Sequence, residues 1–136
     1  MANQINTKRL YIILFVLGAI AVILGAFGAH YLADRLAAKQ LNSFKTAVFY
    51  QFIHVISALV MLLIAEFKNN SFLIWSARLF IIGIILFSGS LYLLSTRELI
   101  GLNFYKWLGP ITPIGGIFFV AGWFVAAFSM ATNDVK

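Results

Sequence analysis

The chain has 136 residues and a mass of 15.2 kDa; 62% of it is hydrophobic and 10% charged, with a net charge of +6 and no cysteine. Soluble domains carry about 25% charged residues, and a core of this size cannot hide so much apolar surface, so a soluble domain, a disordered chain and a fibrous repeat are all excluded. Disulfides, thiolate metal sites and thiol nucleophiles go with the cysteines, and a mean hydropathy of +0.98 points to a membrane protein.

The charged residues leave four charge-free stretches, about 10–29, 46–65, 79–96 and 107–130. Each approaches the ~20 residues that cross ~30 Å of hydrocarbon at ~1.5 Å per residue. Backbone groups in lipid must be paired internally, and no ten-residue alternating strand pattern is present, so the stretches are helices. The expected fold is all-α: a polytopic membrane protein forming one domain over 1–136, a four-transmembrane-helix antiparallel bundle with short loops.

Lys8 and Arg9 precede the first span, and Ala26 and Gly28 resemble the small pair before a signal-peptide cleavage site. The apolar run exceeds a signal core, and Gly18 and Gly25, seven apart and overlapping Ala21 and Ala29 at intervals of four, fit left-handed helix packing instead. After this span Leu32, Leu36 and Phe44 fall on one row, which predicts a short amphipathic helix lying in the interface. Extension of the flanking helices is the other reading of the same residues.

In the second span Ala47, Gln51, His54, Ala58 and Met61 share a face, which points the amide and imidazole together into the bundle. Asn69-Asn70-Ser71 reads as a polar turn, and Trp75, Tyr105 and Trp107 sit where interfacial aromatics anchor spans. The third span contributes Ser88, Ser90 and Tyr92. In the fourth, Pro113 lacks a backbone donor, and a helix starting there with Thr112 as N-cap would aim free N–H groups into the membrane, suited to an anion or a carboxylate head. A proline-kinked helix whose freed carbonyl is satisfied locally is the favoured reading of the same residues. Further along, Gly115, Gly122 and Ser129 repeat at intervals of seven.

Counted from the span ends, His30, Gln51, His54, Ser88, Ser90, Tyr92 and Thr112 gather in the leaflet of the first and third loops. Ser88 and Tyr92 are expected to face Gln51 and His54. The cluster reads either as a structural polar clasp or as a site for a ligand, an ion or a proton.

Enzyme chemistry is not expected, because Ser88-Gly89-Ser90 lacks the glycine two residues ahead that a nucleophile elbow needs. Two histidines without an intramembrane carboxylate or thiol are too few to hold a metal, and His30 and His54 lie at different depths for a shared haem, so no cofactor is expected. His54, far from any carboxylate, is expected to stay neutral rather than carry protons. The cations are scattered, with Lys8, Arg9, Lys68, Arg78 and Lys136 on one side and Arg35, Lys39, Lys45, Arg97 and Lys106 on the other. That five-against-five balance fits anionic headgroups on either face, gives no nucleic-acid surface and leaves orientation open.

Taken in order, Gly25-Ala26-Phe27-Gly28-Ala29-His30, Thr46 with Tyr50-Gln51 and His54, Phe87-Ser88-Gly89-Ser90-Leu91-Tyr92, and Thr112-Pro113-Ile114-Gly115-Gly116 with Gly122-Trp123 resemble the signature of the YgdD/YwdK-like four-helix membrane family, which has a mitochondrial relative in animals. The resemblance spans nearly the whole chain and implies an inner-membrane protein with cytoplasmic termini. It adds Tyr50 to the polar cluster and Gly28, Gly89 and Gly116 to the packing glycines, and brings no catalytic role. The leading expectation is a structural, assembly or lipid-interacting bundle, as a homo-oligomer or within a larger membrane complex. The alternative is an oligomeric channel or carrier for a small solute or anion.

Overall fold

A computed structural model describes the backbone of residues 2–102 and 105–133, with side chains described over 7–102 and 106–132. Asp134, Lys136 and the side chain of the expected anchor Tyr105 lie outside those residues. The elements are α1 (Ala2–His30), α2 (Ala38–Lys68), α3 (Ser71–Gly83), a π-helical stretch (Ile84–Ser88), α4 (Gly89–Thr96), a 3-10 turn (Tyr105–Trp107) and α5 (Leu108–Asn133). α3, the π stretch and α4 run on as one span. Four helices are long and apolar enough to cross a membrane: Thr7–His30, Ala38–Lys68, Ser71–Thr96 and Leu108–Thr132.

Burial follows a seven-residue period. α1 buries Thr7, Leu14, Ala21 and Gly28; α2 buries Phe44, Gln51, Ala58 and Ala65; α5 buries Leu108, Gly115, Gly122 and Ser129. Such a repeat keeps one seam facing its neighbour in left-handed packing. The spans stand in a row in which α1 packs on α2, α2 on the third span and the third span on α5, while among the described residues α1 and α5 share no extended contact. Large apolar side chains such as Phe15, Ile23, Ile117 and Phe124 are more than 60% exposed, which only a lipid solvent tolerates on this scale.

The helices outrun the charge-free stretches, because a charge near a helix end reaches the interface along its own side chain. Arg78, inside the third span, lies over the Trp75 ring at 4.7 Å. The separate interfacial helix does not form. Residues 31–36 make hydrogen-bonded turns, including Arg35 N–H to the Leu32 carbonyl at 3.1 Å and Leu36 N–H to the same carbonyl at 3.0 Å, and α2 then begins at Ala38. The row of apolar residues is nonetheless used, since Leu32, Leu36 and Phe44 form one buried cluster. At α2's start Ala37 has no capping oxygen, and the Gln40 side chain reaches back to its N–H at 3.2 Å. At its end Asn69 takes a left-handed conformation with φ of 48°, and Asn70 caps α3 by accepting the Phe72 N–H at 3.0 Å.

Of the two readings at Thr112-Pro113, the helix that continues through the proline is the one that forms. α5 begins at Leu108 and runs through Pro113, so no row of free N–H groups points into the bilayer. The ring leaves the Gly109 carbonyl without its helical donor, a loss a long membrane helix tolerates.

Candidate functional site

Gln51 is the junction of three spans. Its Nε2 donates to the Leu17 carbonyl of α1 at 2.7 Å, and its Oε1 accepts the Tyr92 hydroxyl of α4 at 2.8 Å. An amide carries both donors and acceptors, so one buried side chain satisfies partners on both flanks of α2. Phe44 tilts against the Tyr92 ring at 4.9 Å and closes the contact.

His54, one turn deeper, turns toward α5. Its Nδ1 lies 2.8 Å from the Tyr50 carbonyl and its Nε2 3.3 Å from Trp123 Nε1. An indole N–H only donates and a carbonyl only accepts, so the proton sits on Nδ1 and Nε2 is the acceptor. Protonating Nε2 would set two N–H groups against each other. The ring stacks on Phe119 at 3.6 Å and meets Phe80 edge-on at 5.2 Å.

The remaining polar residues form separate pairs. Ser88 donates to the Ala47 carbonyl at 2.9 Å, and Ser90 and Thr112 share a hydroxyl–hydroxyl bond of 2.6 Å. Tyr92 thus faces Gln51 as expected, whereas Ser88 meets backbone and neither reaches His54. His30 is exposed at the end of α1 and makes none of these contacts among the described residues. The polar set is therefore not one constellation. Among the described residues every buried side-chain nitrogen or oxygen has a hydrogen-bond partner.

Sequence reasoning passed over several members of this network. Trp123 gives a signal in hindsight, since an indole near mid-helix, away from the interfacial belts, needs an acceptor. Ser76 donates to the Gly122 carbonyl at 2.8 Å, and Asn70 to Ser129 at 2.7 Å, joining α3 and α5 toward the opposite end. Their acceptors are a backbone carbonyl and a hydroxyl sixty residues away, which no local pattern reveals.

The packing glycines divide sharply. A Cβ on Gly115 would lie 2.7 Å from Phe87 Cα, one on Gly122 2.6 Å from the Phe80 ring, and one on Gly28 3.0 Å from the Phe44 ring. Gly18, Gly25 and Gly116 make ordinary contacts at 3.5, 3.4 and 3.9 Å. Gly89 faces open space within the chain, whereas at Gly83, which the seven-residue stripes do not include, an added Cβ would lie 2.5 Å from the Phe119 ring. Phe87, in the π-helical stretch, comes against the backbone of Gly115. An open cavity of about 540 Å³ lies there, lined by Tyr50, His54, Phe87, Gly116, Phe119 and Trp123. It is apolar and aromatic, a place for an acyl chain or a neighbouring helix rather than for hydrated ions.

Residues 24–116 match the family described as protein of unknown function (DUF423). The chain is 41% identical over 118 residues to a UPF0382 membrane protein of Staphylococcus epidermidis, covering 86% of this chain and 91% of that one. It is 42% identical over 122 residues to a UPF0382 membrane protein of Haemophilus influenzae, covering 89% and 93%. It is 35% identical over 106 residues to the UPF0382 inner membrane protein YgdD of Escherichia coli, covering 78% and 76%. No solved structure matches.

Proposed function

The chain belongs to the DUF423 (UPF0382) family of membrane proteins, and from that premise we propose that it works as a small helix-bundle scaffold acting through lipid and protein contacts, with no reaction of its own. The observation that carries this reading is that the buried polar side chains are already paired among the described residues. A transport or catalytic site keeps donors and acceptors in reserve for its ligand, and here Gln51, His54, Ser88, Ser90 and Thr112 are spent on bonds between helices. The broad exposed faces of the spans are apolar, which suits lipid chains and other helices. The reading includes a place in the inner membrane, supported by the relatives' names, both ends of the chain in the cytoplasm, and self-association or membership of a larger complex.

Native mass spectrometry of the protein in mild detergent, wild type beside His54→Ala, tests it. The expected spectra show polypeptide with lipid or protein adducts only, the same in both. A stoichiometric small solute or ion present in wild type and lost from His54→Ala would overturn the scaffold and establish the carrier or channel reading.

A further inference from the structure

A second cavity lies away from the polar network, where the start of the first span, the end of α2 and the start of α3 meet. Its volume is about 610 Å³, and its polar lining comes from Thr7, Lys8, Tyr11, Glu66 and Asn69. Ligand sites commonly occupy ~300–1,000 Å³. The Glu66 carboxylate faces the Tyr11 hydroxyl across the α1–α2 interface, and Lys8 stands on the same cavity from the α1 side. Lys8 and Glu66 do not pair with each other; among the described residues Arg97–Glu98 is the one ion pair. Two opposite charges thus look into one space at the membrane boundary.

That arrangement selects by elimination. A simple anion gains Lys8 but meets the carboxylate, and a simple cation gains Glu66 but meets the ammonium. A group carrying both an ammonium and a phosphate a few bonds apart satisfies both walls at once. The cavity also has the apolar Ala65 and Ile74 in its lining, so a chain attached to the phosphate can leave toward lipid. We propose that this cavity binds the zwitterionic ammonium–phosphate head of an ethanolamine phospholipid, with the ammonium on Glu66 and the phosphate on Lys8. The site is independent of the scaffold reading, because no residue of the polar network lines it.

The full-length protein is reconstituted in nanodiscs of phosphatidylethanolamine and phosphatidylglycerol in equal amounts and extracted in mild detergent, and the retained lipids are counted by mass spectrometry. Wild type is expected to be enriched in the ethanolamine lipid. Glu66→Gln is expected to lower the ethanolamine-to-glycerol ratio about fivefold, the worth of one partly screened charge contact, while Glu66→Asp keeps the preference. Lys8→Gln is expected to lower total retained phospholipid, and Lys68→Gln, outside the cavity, to change nothing; helical circular dichroism verifies that each variant is folded. Competition with soluble O-phosphoethanolamine separates the sources: displacement identifies the free head as a sufficient ligand, and resistance identifies the membrane lipid, both upholding the site. Retention of the two lipids in the supplied ratio by wild type, or an unchanged ratio in folded Glu66→Gln, overturns it.

Discussion

At the scale of single residues, the fold turns on where a side chain has been left out. Gly115 and Gly89 look alike in the sequence, each in a glycine-containing block of a membrane span, yet the Phe87 backbone occupies the space a methyl group would take at Gly115 and nothing occupies it at Gly89. A backbone neighbour cannot rotate away as a side-chain tip can, so Gly115→Ala is expected to destabilise the protein by about 1–3 kcal/mol through overpacking. Gly89→Ala is expected to be neutral or to stabilise by up to about 1 kcal/mol through helix propensity. Reversible unfolding of both variants in mixed micelles checks the pair, and equal losses would mean that the α4–α5 side is packed differently. The same contrast measures what was legible beforehand. The helical face of Gln51 and His54 follows from spacing, and both are buried as expected at 2% and 5% exposure. Tyr92 opposite Gln51 follows too, but the Leu17 and Tyr50 acceptors do not, because they are backbone carbonyls, which every residue carries.

At the scale of elements, charge-free length located all four spans, because lipid penalises charge at mid-helix far more than near the ends. The boundaries were less legible for the same reason: long cationic side chains snorkel, so Lys39, Lys45 and Arg78 sit within helices that a count of charges would have stopped short. The π-helical stretch Ile84–Ser88 has no compositional mark, and the proline left two readings open because Pro113 suits both a first helical position and a tolerated interior one; the interior one, with the span starting near residue 107, is what forms. Proline thereby offers a test of the element. In a helix running from Leu108, Pro113→Ala restores the N–H that pairs with the Gly109 carbonyl, so the new amide is expected to be protected from hydrogen exchange and the protein to gain about 1 kcal/mol, the net worth of one such bond. Were Pro113 the first residue of its helix, that amide would have no acceptor and would exchange fast. Amide exchange of the variant in detergent, read at residue 113, separates the two.

At the scale of the whole molecule, an even number of spans puts both ends of the chain on one side, and the cations divide five against five between the faces. Orientation follows the excess of Lys and Arg near span ends, so a balanced chain sits close to the tipping point and few charges suffice to move it. Replacing Lys8 and Arg9 by glutamine leaves three on the terminal side against five. It is expected to turn a measurable fraction of molecules over, lowering the fluorescence of a C-terminal green fluorescent protein and raising the activity of a C-terminal alkaline phosphatase. Replacing Lys39 and Lys45 instead leaves five against three and is expected to keep both reporter signals at their wild-type levels. The helices themselves give no opposing bias, since the row exposes apolar side chains in both halves of each outer span: Phe15 at 63% and Phe27 at 44% in α1, Ile117 at 67% and Phe128 at 59% in α5. A bundle so evenly solvated by lipid can sit either way up, and only its charges or a partner can decide. If both double variants keep the wild-type reporter signals, the charges are not the determinant, and a bound partner fixes the orientation instead.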